Sequence, residues 1–420
     1  MSFLTGLKCI RCDASFPVEA RFDGCPHCAA EAPSNLTPAY DYAGIRSAFR
    51  KEALAGRPLN MWRYHELLPA DLDDVASLDE GMTPLVHCPS LGAHIGVPGL
   101  YLKDETRNPT GSFKDRLAVT ALGMVERFGA ETVGVSSTGN AGAAAASYSA
   151  RKGLPCVVLT VKGAASAMVT QIRSYGAMAV ATEKKEDRWT LLQAAIRDLG
   201  WYPTSPFFGP PIGSNCYGVD GYKTIAYEVC EQLDWRAPEF CVFPVAYGDA
   251  IFGIWKGFCE FAEMGFISSR PRMVAGETAG SLEAALREGV DAIPPRTPPS
   301  PSAAGSINVG QSTYQALHAL RASDGLASTA KNEDLLALQA ELGAREGIYA
   351  EPSSLAALAA IRNLRSEGRI GEGDTVVAVL TATGLKDPAA TEGLLGEIPV
   401  VRGDLKALLG TLSDAYAYGS

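Results

Sequence analysis

The run Asn108-Pro109-Thr110-Gly111-Ser112-Phe113-Lys114-Asp115-Arg116 has residue types and spacing that could do chemistry. Asn-Pro and Thr-Gly are turn signals, and Ser112 is a suitable helix cap. Beyond them Leu117, Ala121, Met124, Val125 and Phe128 share a helical face, and Gly129 can close the helix. The spacing predicts a helix over 113–128, with Lys114 in its first turn just after a tight loop. The positive end of the helix dipole disfavours a second positive charge there. With partial burial, this makes the amine easier to deprotonate, and a neutral amine is what imine chemistry requires. A lysine in a first turn is ordinarily a solvated charge, so the surrounding pattern must carry the argument.

Two further groups carry chemistry. Cys9, Cys12, Cys25 and Cys28 form CIRC and CPHC, separated by 12 residues. Two such turns can place four sulfurs at the corners of a tetrahedron. So short a segment has little core, and zinc binding, typically on the order of 10 kcal/mol, supplies the missing stability. Two disulfides or incidental thiols are the alternatives. The other six cysteines are scattered, as in a reducing compartment, where disulfides are disfavoured. Lys8, Arg11 and Arg21 are balanced by Asp13, Glu19 and Asp23, which favours a structural or docking role over nucleic-acid binding. Ser137-Thr138-Gly139-Asn140 follows a strand and opens an alanine-rich helix. Backbone N–H groups and hydroxyls at such a helix start make an anion site, or simply a capped turn.

The elements that must position these residues alternate. Strand-like LYLK (100–103), TVGV (132–135), CVVLT (156–160), FCVFPV (240–245) and TVVAVLTA (375–382) are interleaved with helical stretches, one of them from about Ala141. That alternation means an α/β protein with mainly parallel sheet. The segment IPPRTPPSPSAAGS (293–306) reads as a surface loop, or as a mobile flap. At 420 residues the chain has room for two or more domains. Its formal charge of -10 argues against nucleic acid or an anionic membrane as partner. No apolar run is long enough to span a membrane, and MSFLTGLKCI lacks the build of a secretory signal, so a cytoplasmic protein is expected.

The segment NPTGSFKDR resembles the cofactor-lysine segment of fold-type II pyridoxal-phosphate enzymes, in particular the threonine synthase family. The resemblance extends in order through SLDEGMTPL (77–85), SSTGNAGAA (136–144), GYKTIAYE (221–228), PVAYGDAIFGIWKGF (244–258), EGIYAEPSSLAAL (346–358) and LTATGLKDP (380–388). The cysteine ribbon followed by AYDY (39–42) is similar to the N-terminus of many members. The resemblance implies a tryptophan synthase β-like fold of two α/β domains with an N-terminal zinc ribbon. The ribbon would span 1–37, the large cofactor-binding domain 38–134 and 226–400, a small mobile domain 135–225, and a C-terminal tail 401–420. Lys114 would carry pyridoxal 5'-phosphate as an imine and act as base once freed. Phe113, Asn140, Ala246, Tyr247, Gly248, Asp249 and Thr381 would contact the cofactor. Asn140 would face its 3-oxygen, residues 246–249 its phosphate, and Thr381 its pyridine nitrogen. Ser137, Thr138, Gly139 and Asn140 would hold the carboxylate of an amino-acid substrate. A homodimer is implied too.

The sequence also departs from the family. The phosphate cradle keeps one glycine, and Asp249 must point away from the anion towards an amide or a cation. Three family grips on a phosphorylated substrate fall on Gly218, Ala141 and Met168. Each charge-assisted bond so lost is worth roughly 1.5–3 kcal/mol. Arg107, Lys223 and Arg173 are possible substitutes, Arg107 the first among them because it precedes the Lys114 loop. Three readings follow. The chain converts O-phosphohomoserine to threonine and phosphate. Or it is a related β-eliminating lyase or β-replacement synthase for another amino acid. Or it is a non-catalytic homologue that binds a ligand.

Overall fold

Runs of aliphatic residues without polar alternation build the central strands. A computed structural model describes every residue except Met1, Leu394, Gly396, Gly419 and Ser420. The largest sheet has six strands: β4 (Leu85–His87), β5 (Leu100–Asp104), β10 (Phe240–Pro244), β11 (Arg272–Glu277), β12 (Leu326–Thr329) and β13 (Val376–Leu380), in the order β12-β11-β10-β13-β5-β4. All neighbours are parallel except β4, which runs antiparallel along β5. Strands β10 and β13, FCVFP and VVAVL, are buried throughout, as central strands covered on both faces must be. A second, four-stranded parallel sheet has the order β8-β7-β6-β9: β8 (Met178–Thr182), β7 (Cys156–Val161), β6 (Val133–Ser136) and β9 (Tyr202–Pro203). The N-terminus adds a small antiparallel sheet of β1 (Leu4–Cys9), β2 (Ser15–Phe16) and β3 (Leu36–Tyr40). A mainly parallel α/β fold is therefore correct, built on two of the three sheets.

The Lys114 helix is shorter than its periodicity predicts. It spans Lys114–Leu122 and is followed by a separate 3-10 turn at Glu126–Phe128. Gly123 interrupts it, lying so close to Ala70 that a side chain there would collide. Leu117, Ala121, Met124 and Val125 are all buried, so the apolar face is real although the helix is broken. Gly129 ends the segment in the left-handed conformation, at φ 63°. Ser112 does not cap the helix. Phe113 stands at that position, and the buried Ser112 hydroxyl has no partner.

The segment 293–306 carries no strand or α-helix. It is pinned at Arg296, whose N–H donates to the Gly310 carbonyl, and it buries Ala304. Asp387–Ser420 forms a separate unit with its own helix, Leu405–Tyr416, whose N-terminus is capped by Asp404. No helix among the described residues is long and apolar enough to cross a membrane.

Candidate active site

Lys114 owes its position to its two neighbours. Asp115 folds its carboxylate back onto the preceding loop, accepting from the N–H and hydroxyl of Thr110. Arg116 is wholly buried and forked. Its Nε and Nη2 reach Glu105 at 2.7 and 2.6 Å, and Nη1 and Nη2 reach Glu228 at 2.6 and 2.8 Å. Lys103 Nζ approaches Glu228 at 2.7 Å, so two cations balance two carboxylates. Burial alone would raise the Glu228 carboxyl, but Arg116 and Lys103 outweigh it and hold it at about 2. The start of the Lys114 helix is thereby tied to the end of β5 and to the Lys223–Gln232 helix.

The Lys114 amine lies 3.2 Å from the Tyr222 hydroxyl and over the Phe113 ring. Phe113 stacks on Tyr222, packs edge-on against Phe243 of β10, and donates its N–H to the Thr381 carbonyl. Loss of solvation lowers the Lys114 pKa, and Asp249 and Glu351 offset this only in part. Tyr222 was not singled out from the sequence. Its only trace there was its place in GYKTIAYE.

A second group converges from the C-terminal end of β13. Glu351 is buried and accepts from Asn140 Nδ2 at 3.2 Å, Ser306 Oγ at 3.2 Å and Thr381 Oγ1 at 3.3 Å. Burial pushes its carboxyl up. Ser354 Oγ accepts the N–H groups of Thr381 and Ala382 and lies 2.8 Å from Thr381 Oγ1. With its lone pairs so engaged, Ser354 gives its proton to Thr381, whose own proton goes to Glu351. Asn140 Oδ1 is buried with no partner. Ser306 lies at the end of the proline-rich segment, so that segment reaches this cluster.

The two loops expected to bind anions stand at helix starts. Helix Asn140–Lys152 has Gly139 at its cap and no side-chain cap bond, while Ser137 Oγ accepts from the Gly139 N–H. Thr138 is exposed. Helix Asp249–Glu263 starts from Gly248 at φ 85°, where a Cβ would collide with Ala316. The Asp249 carboxylate turns aside, accepting from Ser214 N and Oγ at 2.9 and 2.7 Å and from the Gln315 amide. Thr313 and Gln315 hold the Tyr247 carbonyl, and Ala246 precedes it, half-buried. The first N–H groups of this helix are therefore left without a side-chain acceptor. A tight glycine turn, open N–H groups, a desolvated lysine and an orphaned amide oxygen fit pyridoxal phosphate.

The four ribbon sulfurs also converge. Their Sγ atoms lie within 4.8 Å of one another, with Cys9–Cys28 at 3.8 Å and Cys12–Cys25 at 3.7 Å, and none is in a disulfide. Four sulfurs about 2.3 Å from one zinc would sit about 3.8 Å apart. A backbone N–H at Ala14 pulls the Cys12 thiol down to about 7, whereas burial beside other sulfurs pushes Cys25 and Cys28 up.

Comparison with known proteins fits this geometry. Residues 76–382, from the SLDEGMTPL segment to just past Thr381, match the family described as pyridoxal-phosphate dependent enzyme. Threonine synthase of Methanocaldococcus jannaschii is 34% identical over 389 residues, 91% of this chain and 93% of that protein. Threonine synthase of Methanosarcina acetivorans is 35% identical over 408 residues, 96% and 97% of the two chains. This chain belongs to the threonine synthase family. It is a pyridoxal-phosphate-dependent lyase. The fold is shared more widely. Tomato (Solanum lycopersicum) threonine deaminase isoform 2 superposes with a TM-score of 0.63 at 18% identity, covering 83% of this chain and 90% of that one. O-ureido-L-serine synthase gives 0.58 at 22%, covering 82% and 99%.

Within this family member the expected substitute grips do not converge. Arg107 and Arg173 are exposed. Lys223 is fully buried between Asp220 at 3.0 Å and Glu260 at 3.1 Å, so it is a structural cation and not a free grip. Gly218 packs against the Leu117 carbonyl and Ala121, leaving no room for an arginine without moving the Lys114 helix. Met168 is buried, its sulfur against Gly139.

Two predictions follow from the clamp and the cradle. Arg116→Met leaves Glu105 and Glu228 without their shared partner and should destabilise the fold by about 3–5 kcal/mol, read as a lower urea midpoint. In the parent, the stability due to the depressed Glu228 is present above its ordinary 4.5 and lost as pH falls towards 2, so the acid slope of unfolding free energy should flatten in the variant. Gly248→Ala, strained in φ and blocked by Ala316, should reduce cofactor affinity while fluorescence-monitored unfolding stays cooperative.

Proposed function

We propose that this protein catalyses elimination and replacement on an amino acid in the manner of threonine synthase, taking O-phosphohomoserine to threonine and phosphate. One observation carries the reading: likeness to threonine synthases over nine-tenths of the chain, with the lysine of the shared segment desolvated at the cleft. When bound, pyridoxal phosphate supplies an electron sink for charge developing at the substrate α-carbon. Lys114 Nζ holds it and, when free, takes the α-proton, a task for which its lowered pKa favours the neutral amine. Asn140 and the Thr381 hydroxyl orient the ring edge, the latter as a neutral group held by Ser354 and Glu351. N–H groups at the start of the Asp249 helix take the cofactor phosphate, and those of the Asn140 helix, with Ser137 and Thr138, the substrate carboxylate. The 135–225 segment serves as the smaller domain, closing on 38–134 and 226–400 to exclude water, with 401–420 as a tail. The four cysteines hold structural zinc, and the protein works as a cytoplasmic homodimer.

A second reading has support in the apolar Met168 and exposed Arg107, which favour an unphosphorylated amino acid and a lyase reaction. Assays separate the two. Phosphate release from O-phosphohomoserine is expected. Ammonia and a keto acid from serine or threonine, without phosphate release from O-phosphohomoserine, would establish the second reading instead. For the ribbon, chelation should release zinc and lower the thermal midpoint, and Cys12→Ser should bind none. Equal midpoints before and after chelation would remove zinc from the account.

A further inference from the structure

A cation that the foregoing account does not use is buried at the seam between the two larger sheets. Lys386, in the 3-10 turn Gly384–Lys386 that follows β13, is only 4% exposed. Its ammonium has three protons to give, yet among the described residues its one hydrogen-bond partner is the neutral Gln171 amide oxygen at 2.5 Å. Among the described residues no carboxylate lies within ion-pair distance of it. Asp115 and Glu351 act on it only from farther away, and both of those carboxyls are themselves pushed up by burial. An ammonium so placed, with donors to spare and no counter-charge, is costly unless an anion completes it.

Its surroundings show where such an anion would sit. The Lys386 side chain passes beside Gly111, where a Cβ would lie 3.4 Å from its Cε. Gly111 belongs to the loop that leads into Lys114, and Ser112 of that loop bridges to Ala382. Gln171 donates its amide N–H to the Thr110 carbonyl of the same loop. On the other side, Gln171 lies in the Ser166–Ser174 helix, one turn after Met168, which touches Gly139 of the carboxylate loop. Lys386 thus stands beside both the reactive lysine's loop and the wall where the family's own phosphate grip has become methionine.

From this geometry we infer that Lys386 is the anion grip of the cleft, binding an oxyanion carried on the far end of the substrate side chain. The inference rests on the proposed reading and deepens it. It restores a charged partner for a phosphorylated leaving group, with Gln171 holding the ammonium until the substrate arrives. Bidentate recognition is not available to an ammonium, so the site would take phosphate as a point charge.

The test uses the holoenzyme and inorganic phosphate as probe, followed by calorimetry and by competition with O-phosphohomoserine. Lys386→Met should weaken phosphate binding at least about tenfold, the loss of a charge-assisted bond, and raise KM far more than it lowers kcat. Lys386→Arg should recover most of the affinity. L-serine, which has no side-chain anion, should bind both variants as it binds the parent. Arg188→Gln is the control. Arg188 is another buried cation, with no acidic partner in reach among the described residues, and its Nε donates to the Lys185 carbonyl. Unchanged phosphate affinity in Lys386→Met would overturn the inference. So would a parallel loss of phosphate and serine binding, the mark of a structural latch, or a loss confined to Arg188→Gln. A parent that lacked the visible absorbance of bound cofactor would count against the proposed reaction instead, and phosphate calorimetry would still judge Lys386.

Discussion

The buried fork of Arg116 between Glu105 and Glu228 is the constraint on which the cleft depends. Removing these groups from water is expensive, and the balance with Lys103 is what makes it tolerable. The return is positional. Three consecutive side chains divide the work: Lys114 faces the cleft, Asp115 locks the loop before it, and Arg116 fixes the helix to the sheet behind it. Because the loop, the end of β5 and the Lys223–Gln232 helix meet at one guanidinium, the amine cannot drift without breaking several charge-assisted bonds.

Around that fixed point the cleft is kept poor in net charge. Asp249, which follows the cradle glycine, is diverted to Ser214 and Gln315. Glu351 is buried among neutral donors, and among the described residues Lys386 meets only an amide. Lysine at the reaction centre loses solvation, which lowers its pKa and favours the neutral amine. A neutral threonine at the end of β13, oriented by Ser354, continues the same pattern.

The parts legible in the sequence were those carried by contiguous residues. The Lys114 loop, the Asn140 helix start, the cradle around Gly248 and the four cysteines all depend on local spacing, and the buried strands announced themselves as aliphatic runs. Partners brought in from far along the chain were not legible. Glu228 is 112 residues from Arg116, Tyr222 is 108 from Lys114, and Glu351 is 211 from Asn140. Nothing local marks them. The reading of one helix over 113–128 failed at Gly123, the C-cap, whose close approach to Ala70 is tertiary. Lys223 looked like a free cation because its partner Glu260 lies on another helix.

The central claim is that Lys114, and no other lysine, carries the cofactor. Borohydride reduction of the pyridoxal-phosphate-loaded protein, followed by peptide mass mapping, tests it directly. The account predicts one modified peptide, bearing the reduced cofactor on Lys114. Modification at Lys386 or another lysine in its place, or no stable label at all, would contradict it.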